Sequence, residues 1–183
     1  MTRAVRCLSM LLLLALAACG SGASSGGASA GGYVGAAVPL ECAPFARALS
    51  GVRLWGAAAD WWQQAEGRYA RGAQPEPGGV LVFKRTGRLP SGHVAVVSRV
   101  LSDRRILVTQ ANWVHHRVTE DQPVVDISPN GDWSMVRVWW PPSGQMGGTD
   151  YPVHGFIRAA RPTSQEQLAA ATPVAIRLAL AGQ

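Results

Sequence analysis

The stretches HVAVVSRV (residues 93–100) and ILVTQANWV (residues 106–114) are two apolar runs joined by a polar turn. Both runs are rich in β-branched residues and SDRR, at residues 102–105, supplies the turn, so the sequence predicts a β-hairpin. A loop of two or four residues centred on that turn sets the register of the two strands. The predicted pairs are His93 with Val114, Ala95 with Asn112, and Val97 with Gln110.

Similar short apolar runs lie on both sides of the hairpin. VLVF precedes it from residue 80, and VVDIS and MVRVWW follow it. Helices are predicted before these runs. The first covers residues 42–50, with Gly51 as its stop, and the second covers residues 57–66. Helices followed by about five or six antiparallel strands are typical of an α+β fold.

The amino terminus has the parts of an export signal. Arg3 and Arg6 precede an apolar run that ends in LAAC at residues 16–19, and this ending resembles the lipobox of bacterial lipoproteins. The resemblance implies cleavage before Cys19 and a lipid on its sulfur, whereas ordinary cleavage would give a secreted protein. We therefore expect an exported protein, anchored by lipid on the periplasmic or outer face of a bacterial membrane.

The chain divides into four parts by composition. A Gly/Ser-rich segment after Cys19 is typical of a flexible tether. In the tail, Ser164 and Gln167 form a weak capping box and Pro173 would break or kink the helix, so a peripheral helix or disorder is expected. The predicted boundaries are 1–18 for the signal peptide, 19–32 for the lipidated cysteine and linker, 33–160 for one folded domain, and 161–183 for the tail.

Charge and cysteine content narrow the functional classes. The net charge of +6 suits an anionic neighbourhood such as a cell envelope, or serves solubility alone, and no segment resembles a nucleic-acid-binding motif. Cys7 is removed with the signal and Cys19 carries the lipid, so Cys42 is expected to be the only free thiol of the mature domain.

Cys42 stands at the predicted start of the first helix. Backbone N–H groups and the helix dipole at that position stabilise an anion, which favours a reactive thiolate and could also hold an oxyanion. The neighbouring carboxylate of Glu41 opposes thiolate formation. A small buried core cysteine is the equally weighted alternative.

His93 gives the thiol a chemical partner. In the predicted register, His93, Gln110 and Asn112 project from one face of the hairpin, and His93 and Asn112 are diagonal neighbours. An amide oxygen bound to one imidazole nitrogen would leave the other nitrogen to face a thiol, as in thiol hydrolases. A register error of one residue would put Asn112 on the opposite face.

The segments ECAPFAR, PSGHVAVV and QANW, in this order, resemble the CHAP domain, the cysteine- and histidine-dependent amidohydrolases/peptidases of bacterial cell walls. The resemblance spans about residues 41–141. It implies a papain-like fold, with amino-terminal helices packed on the antiparallel sheet. It also implies Cys42 as nucleophile, His93 as general base and then acid, Asn112 as the residue that orients His93, and neither a metal nor an organic cofactor.

Two residues depart from the pattern of the family. Several relatives have glutamate at the position of Gln110, and many have glutamine at the position of Glu41. Gln110 is an alternative orienter of His93, but an amide cannot stabilise imidazolium by charge. These departures bear on the rate and the pH range of the expected reaction.

Other chemically interesting residues receive less weight. His115 and His116 would point to opposite faces of a strand and could not bind one metal together. Asp126 and Asp132 are third members of the site if the register is wrong. Trp113 is the tryptophan chosen as a substrate contact, although aromatic residues in small sheets more often fill the core. The remaining aromatic candidates for sugar stacking are Trp133, Trp139 and Trp140.

The sequence therefore predicts a thiol-dependent hydrolase of amide or peptide bonds in peptidoglycan, with a wall stem peptide or cross-bridge as partner and the membrane reached through Cys19. The alternative is a non-catalytic CHAP-like module that binds wall peptides or a protein. A weaker alternative is an amidase that acts on a soluble peptide conjugate.

Overall fold

A computed structural model describes residues 32–158 and 163–182 of the chain. The predicted signal peptide, Cys19 and nearly all of the predicted linker lie outside the described residues, so their roles stay predictions. Within the described ranges, no helix combines the length and the apolar character needed to cross a membrane.

Three helices and eight strands make up the described chain. The helices are α1 (Cys42–Ser50), α2 (Trp61–Gln64) and α3 (Gln165–Ala181), with 3₁₀ turns at Ala58–Asp60 and Pro141–Ser143. The strands are β1 (Arg71–Gly72), β2 (Val80–Phe83), β3 (His93–Ser102), β4 (Arg105–Ala111), β5 (Val118–Asp126), β6 (Met135–Trp140), β7 (Gln145–Met146) and β8 (Tyr151–Ile157).

The sheet closes into a small antiparallel barrel. Its strand order is β1-β8-β2-β3-β4-β5-β6-β7, and β8 also pairs with β6, which joins six strands into a ring. The two strands outside the ring, β1 and β7, have two residues each. The α+β class is confirmed. The expectation of a papain-like fold, with amino-terminal helices packed on an antiparallel sheet of about five or six strands, is corrected, because the pairing between β6 and β8 closes the sheet into a barrel and two further strands extend it.

Two separate apolar cores result from the alternation of side chains along the strands. On β3, Val94 and Val96 face outward and pack with α1 and α3. Ala95 and Val97 face the barrel interior and pack with Phe83 and the other inward side chains. Nearly every residue of β2 and of the first half of β3 is buried, which explains why these runs are continuously apolar.

The first helix confirms its predicted bounds. It begins at Cys42, and Gly51 ends it in the left-handed conformation with φ 74°, its N–H donating to the carbonyl of Arg47. Phe45 and Leu49 are buried on the face that packs against the sheet. Helix α1 therefore presents its amino-terminal end at the strand edge where β3 begins.

The predicted second helix over residues 57–66 is shorter than expected. It divides into a 3₁₀ turn and the single turn of α2. The N–H of Glu66 bonds the carbonyl of Gln63 rather than that of Trp62, and the guanidinium of Arg71 binds the free Trp62 carbonyl at 2.6 Å. This side-chain contact takes the acceptor that the next helical turn would need.

The tail forms one helix that packs on α1. Ser164 and Gln167 make the predicted reciprocal capping box, with both hydrogen bonds present. The expectation that Pro173 breaks or kinks the helix is wrong in the sense that α3 runs through it to Ala181. Pro173 is exposed, as is Ala169 one turn earlier, so water can reach the carbonyl that loses its helical partner.

The predicted hairpin is present, but its register is off by two residues. The turn pairs Ser102 with Arg105 as expected, whereas Val97 pairs with Val108 instead of Gln110. Two irregularities in β3, near Ser98 and Leu101, each insert one residue. Because the two shifts add to an even number, the residues of β3 before Ser98 keep their predicted faces, while their partners on β4 move by two positions.

Candidate active site

A cleft of about 710 Å³ opens where α1, the start of β3 and the end of β4 come together. The three residues predicted to be catalytic, Cys42, His93 and Asn112, all line it. Its other walls come from the segment before α2 and from the loop between β2 and β3. Charged and aromatic groups in the lining are Glu41 and Arg47 at the start and in the body of α1, Trp55 in the segment before α2, and Arg88 in the loop between β2 and β3.

Cys42 is the first residue of α1, so it lies where the backbone N–H groups of the helix have no intrahelical partner. Backbone N–H groups of Val94, Ala43 and Cys42 itself act on the thiol and favour its anion. Burial outweighs them and raises the pKa of the Cys42 thiol, and the carboxylate of Glu41 raises it further. The resting thiol is therefore protonated at neutral pH.

His93 opens β3 and is 4% exposed. Gly92 directly before it has φ +71°, and an added Cβ there would lie 2.6 Å from Cβ of Ala59 and 2.7 Å from the carbonyl of Phe83. Only glycine fits this turn, and the turn delivers the imidazole to the cleft. The ring packs edge-on against Phe83 and lies 5.1 Å from the Trp113 ring, centroid to centroid.

Gln110 is the hydrogen-bond partner of His93. Its Oε1 lies 2.9 Å from Nε2 of the imidazole, and both side chains are buried. Since an amide oxygen only accepts, Nε2 carries the proton in the neutral ring, and Nδ1 keeps a free lone pair. Burial lowers the pKa of His93 to about 4, against which the Gln110 hydrogen bond acts weakly. The resting imidazole is therefore neutral.

Asn112 contacts the other side of the cleft. Its Nδ2 donates to Oε2 of Glu41 at 2.9 Å, and its Oδ1 accepts from the N–H of His116 at 2.9 Å. The residue has φ 59°, a conformation that asparagine tolerates better than most residues. These contacts join the end of β4 to the start of α1. The partner of His93 is thus Gln110, the alternative orienter, and Asn112 lies beside the residue that precedes Cys42.

The other sequence candidates lie outside this cleft. His115 and His116 do not alternate along a strand as expected, since they occupy the turn between β4 and β5 with stacked rings 3.7 Å apart. Asp126 accepts from Ser128, and Asp132 accepts from the N–H of Ser134. The described residues contain no group of three or more His, Cys, Asp or Glu side chains placed to bind one metal ion.

The tryptophans divide between core and surface. Trp133 is 1% exposed, and its Nε1 donates to the carbonyl of Asp103 at 3.1 Å, so it fills the barrel and is not a sugar contact. Trp113 packs on Phe83 and lines a second, adjoining cleft, as does Trp140. Trp139 is half-buried and lines neither cleft.

Three contributors to the site had not been selected from the sequence. Gly92 lies in the quoted segment PSGHVAVV but was not singled out, although a glycine directly before the first residue of a strand is a signal of a tight turn. Arg88 and Trp55 line the cleft from segments without regular structure, where no periodic pattern marks them. Their proximity follows from the closure of the barrel and from loop conformation.

The family model of the CHAP domain matches residues 31–112. The matched segment contains Cys42, His93, Gln110 and Asn112 and ends at the last of them. The family resemblance deduced from the sequence is thereby confirmed for this segment. CHAP domains are hydrolase-type domains, associated with amidase or peptidase action on peptidoglycan. No curated protein matches the chain.

Proposed function

We propose that the protein is a thiol-dependent hydrolase of amide or peptide bonds in peptidoglycan. One observation supports this most: Cys42, His93 and Asn112 line one cleft within the segment that matches the CHAP domain, with Gln110 hydrogen-bonded to the imidazole. In this proposal, Cys42 is the nucleophile, His93 is the base and then the acid, and Gln110 orients His93.

The first half-reaction forms a thioester. Nδ1 of His93 removes the proton of the Cys42 thiol while the sulfur attacks the carbonyl carbon of the scissile amide. The imidazolium then gives this proton to the amide nitrogen, the C–N bond breaks, and the amine leaves. Because thiol and imidazole are both neutral at rest, proton transfer accompanies attack rather than preceding it.

The second half-reaction restores the enzyme. Neutral His93 removes a proton from a water molecule that attacks the thioester carbonyl. The C–S bond breaks, the carboxylic acid product leaves, and the sulfur recovers its proton from the imidazolium. Oxygen enters the product only from water, and no electron is gained or lost by the protein.

In the tetrahedral intermediate, the carbonyl oxygen of the scissile amide carries negative charge, and hydrogen-bond donors near Cys42 are needed to stabilise it. The backbone N–H of Cys42 at the start of α1 supplies one, as in other sites built at helix amino termini. The second hydrogen of Asn112 Nδ2 supplies another, because only one hydrogen is engaged by Glu41. In this proposal Asn112 positions substrate, and Gln110 performs the orienting role first expected of Asn112.

Location is part of the same proposal. A lipid on Cys19 and the segment after it would hold the domain near a bacterial membrane, outside the cytoplasm and within reach of the wall. The net charge of +6 is compatible with an anionic envelope.

The test is wall digestion by the purified chain and by its Cys42→Ala variant. We expect release of soluble fragments from sacculi by the wild type and none by the variant. Mass spectrometry of a defined muropeptide identifies the bond that is cut. Equal release by both proteins would exclude Cys42 as the nucleophile.

A second candidate is a binding module without catalysis. The raised pKa of Cys42 and the neutral amide at Gln110 favour it, since both weaken thiol catalysis. This candidate predicts that sacculi pull down wild type and Cys42→Ala equally and that neither protein releases fragments. Fragment release by the wild type would exclude it.

A further inference from the structure

A second cleft of about 350 Å³ adjoins the cleft of Cys42. Arg88 and Leu89, on the loop between β2 and β3, line both clefts. Trp113 also links them, because its ring lies 5.1 Å from the His93 ring and lines the second cleft. We call this second cleft the annex. A molecule bound there would lie beside the group that acts on the scissile bond.

The walls of the annex are aromatic and held in place. Trp113 and Tyr151 pack with ring centroids 5.1 Å apart. Trp140 is 40% exposed, which is unusual for so large an apolar side chain, and it ends β6 directly before Pro141. Aromatic faces carry partial negative charge and attract the C–H groups on the apolar face of a saturated ring. The annex therefore offers stacking surfaces to solvent.

The rim of the annex is polar. Arg88 is exposed, and no hydrogen bond or ion pair within the described residues engages its guanidinium. Thr149 also belongs to the lining, and its neighbour in the sequence, Asp150, has its Oδ1 2.6 Å from Nε of Arg137. Gly147 donates to the carbonyl of Val138, and an added Cβ would lie 2.8 Å from that oxygen. Arg88 and Thr149 thus supply polar groups to a lining that is otherwise mostly apolar.

We propose that the annex binds one N-acetylhexosamine ring of the wall glycan, beside the amide that Cys42 attacks. Such a ring has an apolar face for Trp113 or Trp140 and hydroxyl and acetamido groups for Arg88 and Thr149. A cleft near the lower end of the roughly 300–1,000 Å³ range of ligand sites suits a single ring. This inference rests on the proposed hydrolase function, and it selects the amide that joins sugar to stem peptide.

Binding is tested separately from catalysis. Isothermal titration calorimetry would measure the binding of tri-N-acetylchitotriose to the full chain with the substitution Cys42→Ala. The same measurement would be made on two double variants, in which Trp140→Ala or Trp140→Phe is added to Cys42→Ala. We expect Trp140→Ala to weaken binding about tenfold and Trp140→Phe to retain most of it. Tyr33→Ala, at an exposed aromatic residue that lines neither cleft, should leave binding unchanged.

Cleavage provides the second measurement. In the otherwise wild-type chain, a disaccharide-peptide should be cut at the sugar–peptide amide, with KM raised about tenfold by Trp140→Ala and kcat nearly unchanged. The free stem peptide should be a poor substrate that is indifferent to Trp140. Circular dichroism of each variant, and the binding of Trp140→Phe, separate lost stacking from lost folding.

The outcomes distinguish the two proposals. Sugar binding that depends on Trp140, without any cleavage of wall material, would support the annex and exclude the hydrolase. Cleavage with no measurable chitotriose binding, or with binding unaffected by Trp140→Ala, would overturn the annex and leave the hydrolase. Cutting of free stem peptide as efficiently as the disaccharide-peptide would also overturn it.

Discussion

Nε2 of His93 lies 2.9 Å from Oε1 of Gln110, in a site where both side chains are buried. This contact fixes the tautomer of the imidazole but supplies no negative charge to hold a second proton. The other amide atom, Nε2 of Gln110, is buried without a hydrogen-bond partner among the described residues. Gln110 therefore holds the imidazole in place and also leaves one of its own polar atoms unsatisfied, which typically costs about 1–3 kcal/mol.

Gln110→Glu should raise the pKa of His93, because a carboxylate stabilises imidazolium and has no N–H group to leave unpaired. NMR titration of the imidazole measures the change, and the acidic limb of any activity profile should move to higher pH. Gln110→Leu is the matched control, with the hydrogen bond removed and no charge added. A Glu variant whose imidazole titrates as in the wild type would contradict the assigned contact.

Glu41→Gln should increase the alkylation rate of Cys42 by iodoacetamide near neutral pH. The substitution removes the negative charge that raises the pKa of the thiol and keeps an oxygen to accept from Nδ2 of Asn112. Burial still raises the pKa of the Cys42 thiol in this variant, so we expect the alkylation rate to increase severalfold and to stay below that of a fully ionised thiolate. Glu66→Gln, at an exposed carboxylate outside the cleft, is the control, and an equal increase there would refute the interpretation.

Acid should destabilise the fold through His93. Its pKa in the folded protein is lowered from 6.5 to about 4, so between these values the unfolded chain binds more protons than the folded one. Stability is then lost as pH falls from about 6.5 toward 4, by about 3 kcal/mol for a fully buried group. Urea unfolding across this range measures it. His93→Phe should flatten this slope, and an unchanged slope would assign the acid sensitivity to other groups.

Asn112→Gly and Asn112→Ala should separate backbone from side-chain effects. Both remove the bonds to Glu41 and to the N–H of His116, so wall hydrolysis should fall similarly in the two variants. Only alanine is strained at φ 59°, so it should be less stable than the glycine variant by about 1 kcal/mol. Thermal unfolding with parallel activity assays measures both. Full activity in the glycine variant would show that the amide does not contact substrate.

Gly92→Ala should displace His93. The added methyl group would lie 2.6 Å from Cβ of Ala59 and 2.7 Å from the carbonyl oxygen of Phe83, which is well inside van der Waals contact. Because φ +71° adds backbone strain, we expect the free energy of unfolding to fall by more than about 2 kcal/mol. Gly87→Ala in the same loop meets nothing within 4 Å and serves as the control. Urea unfolding distinguishes the two. Equal stability of both variants would mean that the turn before His93 adapts readily.

Local signals in the sequence were sufficient for much of this structure. The start of α1 at Cys42, its stop at Gly51 and the capping box of Ser164 and Gln167 depend on residues a few positions apart, and the structure confirms them. The shared face of His93 and Gln110 depends only on the parity of the strand. It is preserved because the two bulges shift the register by two residues.

Features that depend on distant contacts were not predictable. Closure of the barrel requires β8 to pair with both β2 and β6, and no pattern within β8 specifies two partners. That Gln110 rather than Asn112 bonds the imidazole of His93 depends on the bulges and on the turn of the chain at Asn112, where β4 has ended. A regular strand would have left Asn112 beside the imidazole.

Cys42 and His93 approach the cleft from opposite faces of β3. The helix that carries the thiol is anchored in the outer core, while the imidazole packs against aromatic residues of the barrel interior. The distance between the Cys42 thiol and the His93 imidazole therefore depends on how α1 and the outer core dock against the barrel. Loss of the docking of α1 would separate the thiol from the imidazole and still leave the core of the barrel packed, so the proposed chemistry depends on a contact that is distinct from the stability of the barrel itself.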